Sequence, residues 1–498
     1  MAEPTGLDPV LVFDADSSRI NAQIFETLTT LKEGTASEVV PGLATSWSPN
    51  ADSTVWTFTL RSGVKFQDGT VFDAAAVKYN FERWRNLPPQ LQGRAELYGS
   101  VFGGFGDAGI VRSVDTPDPT TFILTLSEPR PDLPIALTVP VFSIASPDAL
   151  TKYGSDAADA NGASEFATAH PVGTGPFKFD TWVRGDRIEL VRNDTYWGVK
   201  THLDRLVFKA LPDAAARLNA VQAGDVDIAD MISPRDSDAV EDDPRLQLLT
   251  RGSCNSGYVA FKSNQAPFND PLVREAVGHA INKSAIIDRF YGKAGTPGWL
   301  LMPDTIAGYD KSLADPTYDP DLARKLLAKS STPNPAVEFW YPTDVTRPWL
   351  PDSQGIFQAI TADLEAVGFK ITPRSATWTA YLKDSQSPAY GMFLLGWSCD
   401  YGAPNNFYGG AFGYINGKPN PRYEYASAEF TAALAAAQAT PADRQEDAWA
   451  RVQSTVYKDN PVIPFVHGAS LVAARSTVGG YTPSPVMVEH FAGTWVAS

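Results

Sequence analysis

Cysteine is almost absent from this chain: 498 residues carry two, Cys254 and Cys399. So sparse a supply excludes a disulfide-rich scaffold and leaves either two inert core thiols or a single disulfide. Neither belongs to a CxxC or a Cys/His pair, which argues against a thiolate metal site. Histidine is scarce too, and His170, His202, His279, His467 and His490 are scattered at intervals that suggest no shared metal face. No apolar run approaches the ~20 residues of a membrane span. Basic runs are also missing. Net charge is -16, from 41 Lys+Arg against 57 Asp+Glu, so a nucleic-acid partner is not expected. Acidity of this size supports solubility and weakly favours cationic or amine-bearing ligands. The opening "MAEPTGLDPV" has no basic n-region and no apolar h-region, so no signal peptide is expected in it. The chain is then expected to be cytoplasmic, or a mature form whose leader has been removed.

Catalytic signatures are missing in the same way. There is no GxSxG elbow, HExxH helix or P-loop in the sequence. No cofactor and no metal are implied. Asn193-Asp194-Thr195 and Asn282-Lys283-Ser284 match the glycosylation sequon, but matches this short are common by chance. A long chain without nucleophile, metal or cofactor motif shifts weight from catalysis to binding.

What is present is an ordinary globular composition, 43% hydrophobic and 20% charged, with length for about three domains at one per ~150 residues. Strand and helix patterns alternate, punctuated by 39 prolines and 38 glycines. "VWTFTL" puts Trp56, Phe58 and Leu60 on one face of a strand. A helix follows with Val77, Phe81 and Trp84 on one side and Asp73 as its N-cap. Asp118 to Leu126 alternates as another strand. Phe177 to Trp182 and Arg187 to Arg192 pair as a hairpin across "RGD". Further helices end at Gly224, begin at Asp270-Pro271 and close at Gly368. Alternation on this scale predicts α/β layers, with a β-rich unit inserted before residue 170.

One stretch stands apart. In "GMFLLGWSCDYGAPNNF", Gly391 to Phe407, an apolar strand runs out into a loop of Gly, Pro and Asn that exposes an acid, Asp400, beside one of the two cysteines. Taken alone, Asp400 is either a turn aspartate satisfied by backbone N–H groups or a ligand carboxylate.

Several stretches together resemble the extracytoplasmic solute-binding proteins of ABC importers, in the family that includes dipeptide-, oligopeptide- and nickel-binding proteins. "PGLATSWSPNADSTVWTFTLRSGVKFQDGTVFDAAAVKYNFER" (Pro41 to Arg83) is similar to that family's signature. So are "HPVGTGPFKFDTWVRGDRIELVRNDTYWG" at 170–198, "APFNDPLVREAVGHAINKSAII" and "GWSCDYGAPNNF", all in family order. The resemblance implies an α/β, two-lobed, periplasmic-binding-protein-like fold of type II in its large three-domain form, with a hinge. One discontinuous lobe would take 1–38, 172–252 and 470–498, an inserted β-rich domain 39–171, and the second lobe 253–469. It implies an exported receptor, in the periplasm or as a Gram-positive surface lipoprotein, with its leader and lipid anchor removed and part of the first strand trimmed. The implied partners are a peptide or other small ligand and ABC permease subunits. The implied state is a monomer.

The same resemblance implies a ligand site between lobes. Asp400 would take the ligand's ammonium and Arg347, in "RPWLP", its carboxylate. Trp397, Ser398 and Cys399 would offer main-chain bonds to an added ligand strand. Tyr401, Asn405 and Asn406 complete the loop, while Asp16, Ser17 and Ser18 match an N-terminal loop lining the cleft. The loop lacks the family's second acid, which argues for longer peptides over strict dipeptides. By the family pattern Cys254 lies near Cys399, and the two could bond. Two readings compete: a receptor for an oligosaccharide, opine-like or other amphoteric molecule on the same fold, and, from another class, an enzyme or chaperone using the cleft. Nickel capture is disfavoured because no histidine falls in the matched cleft segments.

Overall fold

The computed structural model describes residues 1, 3–12, 14–415, 418–486 and 488–497. The chain divides into two compact units. Unit 1 holds Met1–Asp230, Asp243–Leu249 and Val472–Ser498; unit 2 holds Met231–Asp242 and Thr250–Leu471.

Unit 1 opens with α1 (Ala15–Ile24), capped by Asp14, whose carboxylate accepts the Ser17 N–H at 2.7 Å. β1 (Ala44–Pro49) and β2 (Val55–Leu60) form a hairpin, and α2 (Ala74–Arg85) starts at its N-cap Asp73. β3 (Val111–Asp118) and β4 (Thr121–Leu126) complete an antiparallel sheet of order β1-β2-β4-β3. Trp56, Phe58 and Leu60 all point to its buried face, and Phe81 of α2 packs on Phe122 with ring centres 4.9 Å apart. This sheet lies within residues 39–171. The alternation across Asp118 to Leu126 is not one strand. β3 ends at Asp118, whose carboxylate accepts the Thr120 N–H at 2.8 Å, and β4 starts only at Thr121. A turn-forming aspartate overrides the apparent period-2 pattern there.

β5 (Phe177–Val183), β6 (Arg187–Arg192) and β7 (Arg205–Lys209) form a second antiparallel sheet of order β5-β6-β7. The hairpin between β5 and β6 turns at Gly185, whose φ of +74° suits glycine. α3 (Ala214–Ala223) ends at Gly224 in the left-handed region, and β8 (Ile228–Ile232) and β9 (Leu246–Arg251) follow. Ile20, Ile24 and Phe25 from the α1 region pack with Phe177, Ile188, Leu190 and Phe208 into a core. Arg19, buried in α1, spans Asp230 at 2.6 Å and Glu489 at 2.9 Å.

Unit 2 is built on β10 (Asn255–Phe261), β11 (Gly295–Pro297), β12 (Ala336–Pro342), β13 (Lys370–Ala376), β14 (Met392–Ser398) and β15 (Val462–Gly468). They form one six-stranded sheet of order β11-β15-β10-β14-β12-β13. β12 runs parallel to β13 and β14, and β10 antiparallel to β14 and β15. α4 (Pro271–Ala280) is capped by Asp270, and α5 (Ser353–Ala366) carries the crossover from β12 to β13. Every residue of β10 and β15 is buried, as expected of central strands covered on both faces. The chain then returns as β16 (Ser470–Arg475), which lies between β8 and β9 in a separate three-stranded sheet.

Candidate functional site

The apolar run Met392 to Leu395 is buried in β14, between β10 and β12. β14 pairs with β10 along its whole length, from Met392 to Ser398, but with β12 only at Met392 and Phe393. Its far half therefore has one open edge. Parity says which groups use it. The Cys399 N–H donates to the Cys254 carbonyl at 2.7 Å, so Trp397 also bonds toward β10, and the main chains of Gly396 and Ser398 point the other way. Leu394, with the same parity, sends its carbonyl to the Tyr381 hydroxyl at 2.6 Å.

The loop after β14 is fastened twice. Cys254 and Cys399 form a disulfide with Cα atoms 5.5 Å apart. Buried Asn406 makes the second fastening. Its Oδ1 accepts from the Asp400 N–H at 3.1 Å and from Trp397 Nε1 at 3.0 Å, while its Nδ2 donates to Asp400 Oδ2 at 2.9 Å. Asn405 Oδ1 accepts from Gln438 Nε2 at 2.9 Å, and Tyr401 is buried. Both asparagines of this loop thus help to hold it.

Asp400 is partly exposed and hemmed in by the loop. Desolvation pushes its carboxyl up to about 6, against the opposing hydrogen bond from Asn406. No cation among the described residues faces it, and its Oδ1 receives no hydrogen bond from any of them.

Arg347 lies in the short segment Arg347–Leu350, whose end residues exchange backbone hydrogen bonds of 2.9 and 3.1 Å. Three glycines, one from each of three adjacent strands, let this segment lie flat on the sheet. A Cβ on Gly396 of β14 would stand 2.2 Å from the Trp349 ring. On Gly257 of β10 it would meet the Trp349 carbonyl at 2.8 Å, and on Gly468 of β15 the Pro348 carbonyl at 2.1 Å. Gly257 and Gly396 are direct register partners. The Tyr291 hydroxyl anchors the Trp349 carbonyl at 2.7 Å. Trp349 is turned into this strip, and the exposed Arg347 guanidinium instead lies over Trp378, 5.3 Å from the ring centre. Apart from the Thr346 carbonyl at 3.2 Å it has no hydrogen-bond acceptor among the described residues, and crowding alone lowers its pKa. Unit 2 therefore carries an acid in the loop after β14, and an arginine on the segment after β12 that packs over β10, β14 and β15, each left without an ionic partner among the described residues.

Asp16, Ser17 and Ser18 belong to unit 1. They do not form a loop but the first turn of α1. Ser17 is fully buried, donating to Asp14 Oδ2 at 2.7 Å and accepting the Thr5 N–H at 3.0 Å. Asp16 faces Arg19 at 3.9 Å. Sequence reasoning missed the clamp role of Asn406, the glycine strip and Trp378. A glycine inside the apolar strand "FLLGW" was the available signal, because glycine there marks close backbone approach. No group of three or more His, Cys, Asp or Glu among the described residues is placed to hold a metal.

Residues 38–418 match the bacterial extracellular solute-binding proteins, family 5 middle, and the chain belongs to that family. Its members serve ABC importers outside the cytoplasm, as binding proteins rather than enzymes. The chain is 30% identical to heme-binding protein A of Haemophilus influenzae, over 99% of this chain and 90% of the relative. It is 28% identical to the dipeptide-binding protein of Escherichia coli, over 98% and 92%. Among solved structures it is similar to the periplasmic binding protein DppA of Helicobacter pylori in complex with the peptide STSA. There the TM-score is 0.81 and the identity 28%, covering 99% of this chain and 96% of that one.

Proposed function

We propose that this protein captures peptides for an ABC importer, with oligopeptides favoured over strict dipeptides. Asp400 takes the ligand's ammonium, Arg347 takes its carboxylate, and the open edge at Gly396 and Ser398 bonds the ligand main chain as an added strand. Closure of two lobes over the ligand belongs to the same proposal. The observation that carries it is Asp400: a partly desolvated carboxylate without a cation of its own is an unfavourable arrangement unless a ligand relieves it. A carboxylate-rich ligand such as heme would engage Arg347 and leave that acid unrelieved, so an amine-bearing ligand fits the site better. The tetrapeptide in the Helicobacter pylori relative and the single acid in the loop support a ligand longer than two residues. Receptors of this kind reach their permease as exported proteins, by way of a leader and, in Gram-positive cells, a lipid anchor.

Mass spectrometry of ligand released from natively purified protein tests this. A ladder of peptide masses is expected. A single glycan or opine mass would replace the reading with an amphoteric small-molecule receptor, and turnover of the bound ligand would replace it with an enzyme.

A further inference from the structure

β12 and β14 start side by side and parallel, with Phe339 opposite Met392 and Trp340 opposite Phe393. They then part. β12 goes on pairing with β13 as far as Pro342 and Ala376, whereas β14 continues beside β10 alone. In the fork stands Tyr381, on a short helix, α6 (Trp378–Asp384). The Tyr381 side chain is fully buried. Its hydroxyl reaches one carbonyl on each side, that of Leu394 in β14 at 2.6 Å and that of Trp340 in β12 at 3.1 Å. The Tyr390 ring, stacked on Trp340 at 4.0 Å, meets the Tyr381 ring edge-on with centres 5.5 Å apart. At the helix start the Trp378 N–H donates to Asp344, just past the end of β12. The wedge is thus anchored at both ends. Burial holds the phenol well above its usual pKa, so its hydroxyl stays a donor.

The place of that hydroxyl matters for the open edge of β14. Leu394, Gly396 and Ser398 share one parity, so an added strand would find its bonding stations at these three residues. An N–H bonded to the Leu394 carbonyl needs its nitrogen about 2.9 Å from that oxygen, in the gap that the hydroxyl already fills. Gly396 and Ser398 lie beyond the wedge. A ligand whose ammonium sits at Asp400, past the Ser398 end, runs antiparallel to β14. Antiparallel partners exchange bonds at every second residue. The ligand's first residue then faces Ser398, its third faces Gly396, and its fifth would face Leu394. We propose that the Tyr381 hydroxyl is a stop that sets how much ligand main chain this edge accepts: residues one and three are bonded, and the chain leaves the edge before residue five. This rests on the added-strand reading of the site and gives it an upper limit. The position of Arg347 agrees with that limit. Trp378 stands one turn ahead of Tyr381 on α6, their ring centres 6.3 Å apart, and the Arg347 guanidinium lies over Trp378. The group that takes the ligand's carboxylate is therefore at the stopped end, where a ligand of three or four residues finishes with both stations filled.

Isothermal titration with hexa-alanine, free at its amino end and amidated at its carboxyl end, tests the stop without a ligand carboxylate. Each of residues two to six is N-methylated in turn, which removes one N–H at a time. Methylation at residue three should weaken binding about tenfold, whereas at residue five it should cost no more than at residue six. Equal losses at three and five would overturn the stop. A loss at two or four with none at three would overturn the register. Indifference at every position would overturn the added-strand reading itself, which separates that failure from a failure of the stop alone. Tyr381→Leu withdraws both hydroxyl and ring, and in this variant methylation at five should become as costly as at three. A folded variant that stays indifferent at five would also overturn the proposal. Should the variant not fold, the scan on the wild type decides alone.

Discussion

Replacing Asp400 with Asn removes one charge and little else. The new side chain has nearly the same shape, and its oxygen can still accept from Asn406 Nδ2, which lies 2.9 Å from Oδ2. The size of the effect follows from the carboxyl's position at about 6. Against an ordinary aspartate near 3.9, that displacement corresponds to about 3 kcal/mol between charged and neutral forms. Residual solvent contact brings the recoverable part to about 2 kcal/mol. A ligand ammonium that relieves the strain on this charge gains that amount, so Asp400→Asn should weaken peptide binding about 30-fold. The ligand-free protein should respond in the opposite direction. An acid whose folded value lies above its unfolded value destabilises the fold above about pH 6, and the penalty fades as pH falls toward 4. The variant's Tm should therefore exceed that of the wild type at pH 8 and converge with it near pH 4. Isothermal titration across pH 5–8 completes the test. Wild-type affinity should decline as pH falls below about 6, by at most about tenfold per pH unit, while the variant's profile stays flat. Unchanged affinity in the variant, or parallel pH profiles in the two proteins, would refute the role given to this acid.

Gly396→Ala would place a methyl 2.2 Å from the Trp349 ring. It should lower stability by about 1–3 kcal/mol by overpacking and weaken ligand binding as the Arg347 segment lifts, read by Tm and titration together. Arg347→Lys keeps the charge but loses the planar fork; the Tm should hold while affinity for peptides with a free carboxylate falls about tenfold, and amidated peptides should show no difference between the two proteins. The Cys254–Cys399 bridge closes a sequence separation of 145, so the double Ser variant should lose about 5 kcal/mol on a chain-entropy estimate. Urea unfolding with and without reductant measures this, and a wild-type curve indifferent to reductant would contradict it.

Much of the scaffold was legible because it rests on local signals. Asp73 and Asp270 cap their helices, Gly224 ends another, and Trp56, Phe58 and Leu60 share a face, all of it visible as spacing and residue type. The strand boundary at Asp118 was not legible, since an Asx turn hides inside an alternating pattern. Within the loop after β14, Asp400 could be singled out because a lone acid interrupts an apolar and glycine-rich run. Asn406 could not be assigned its task, because an amide that clamps and an amide that binds ligand look alike in one dimension. The glycine strip depends on Gly257, Gly396 and Gly468 meeting from distant parts of the chain. Only the strand order β15-β10-β14 brings them together.

If the proposed site is the ligand site, that strip narrows the routes by which a lineage can acquire new ligand preferences. Positions 257, 396 and 468 admit no side chain without dislodging the arginine, so diversification is confined to rim residues such as Ser398 and Trp378, whose replacement leaves the backbone undisturbed. A library randomised at the rim should retain folded members in abundance, whereas one randomised at the three bare positions should be almost barren.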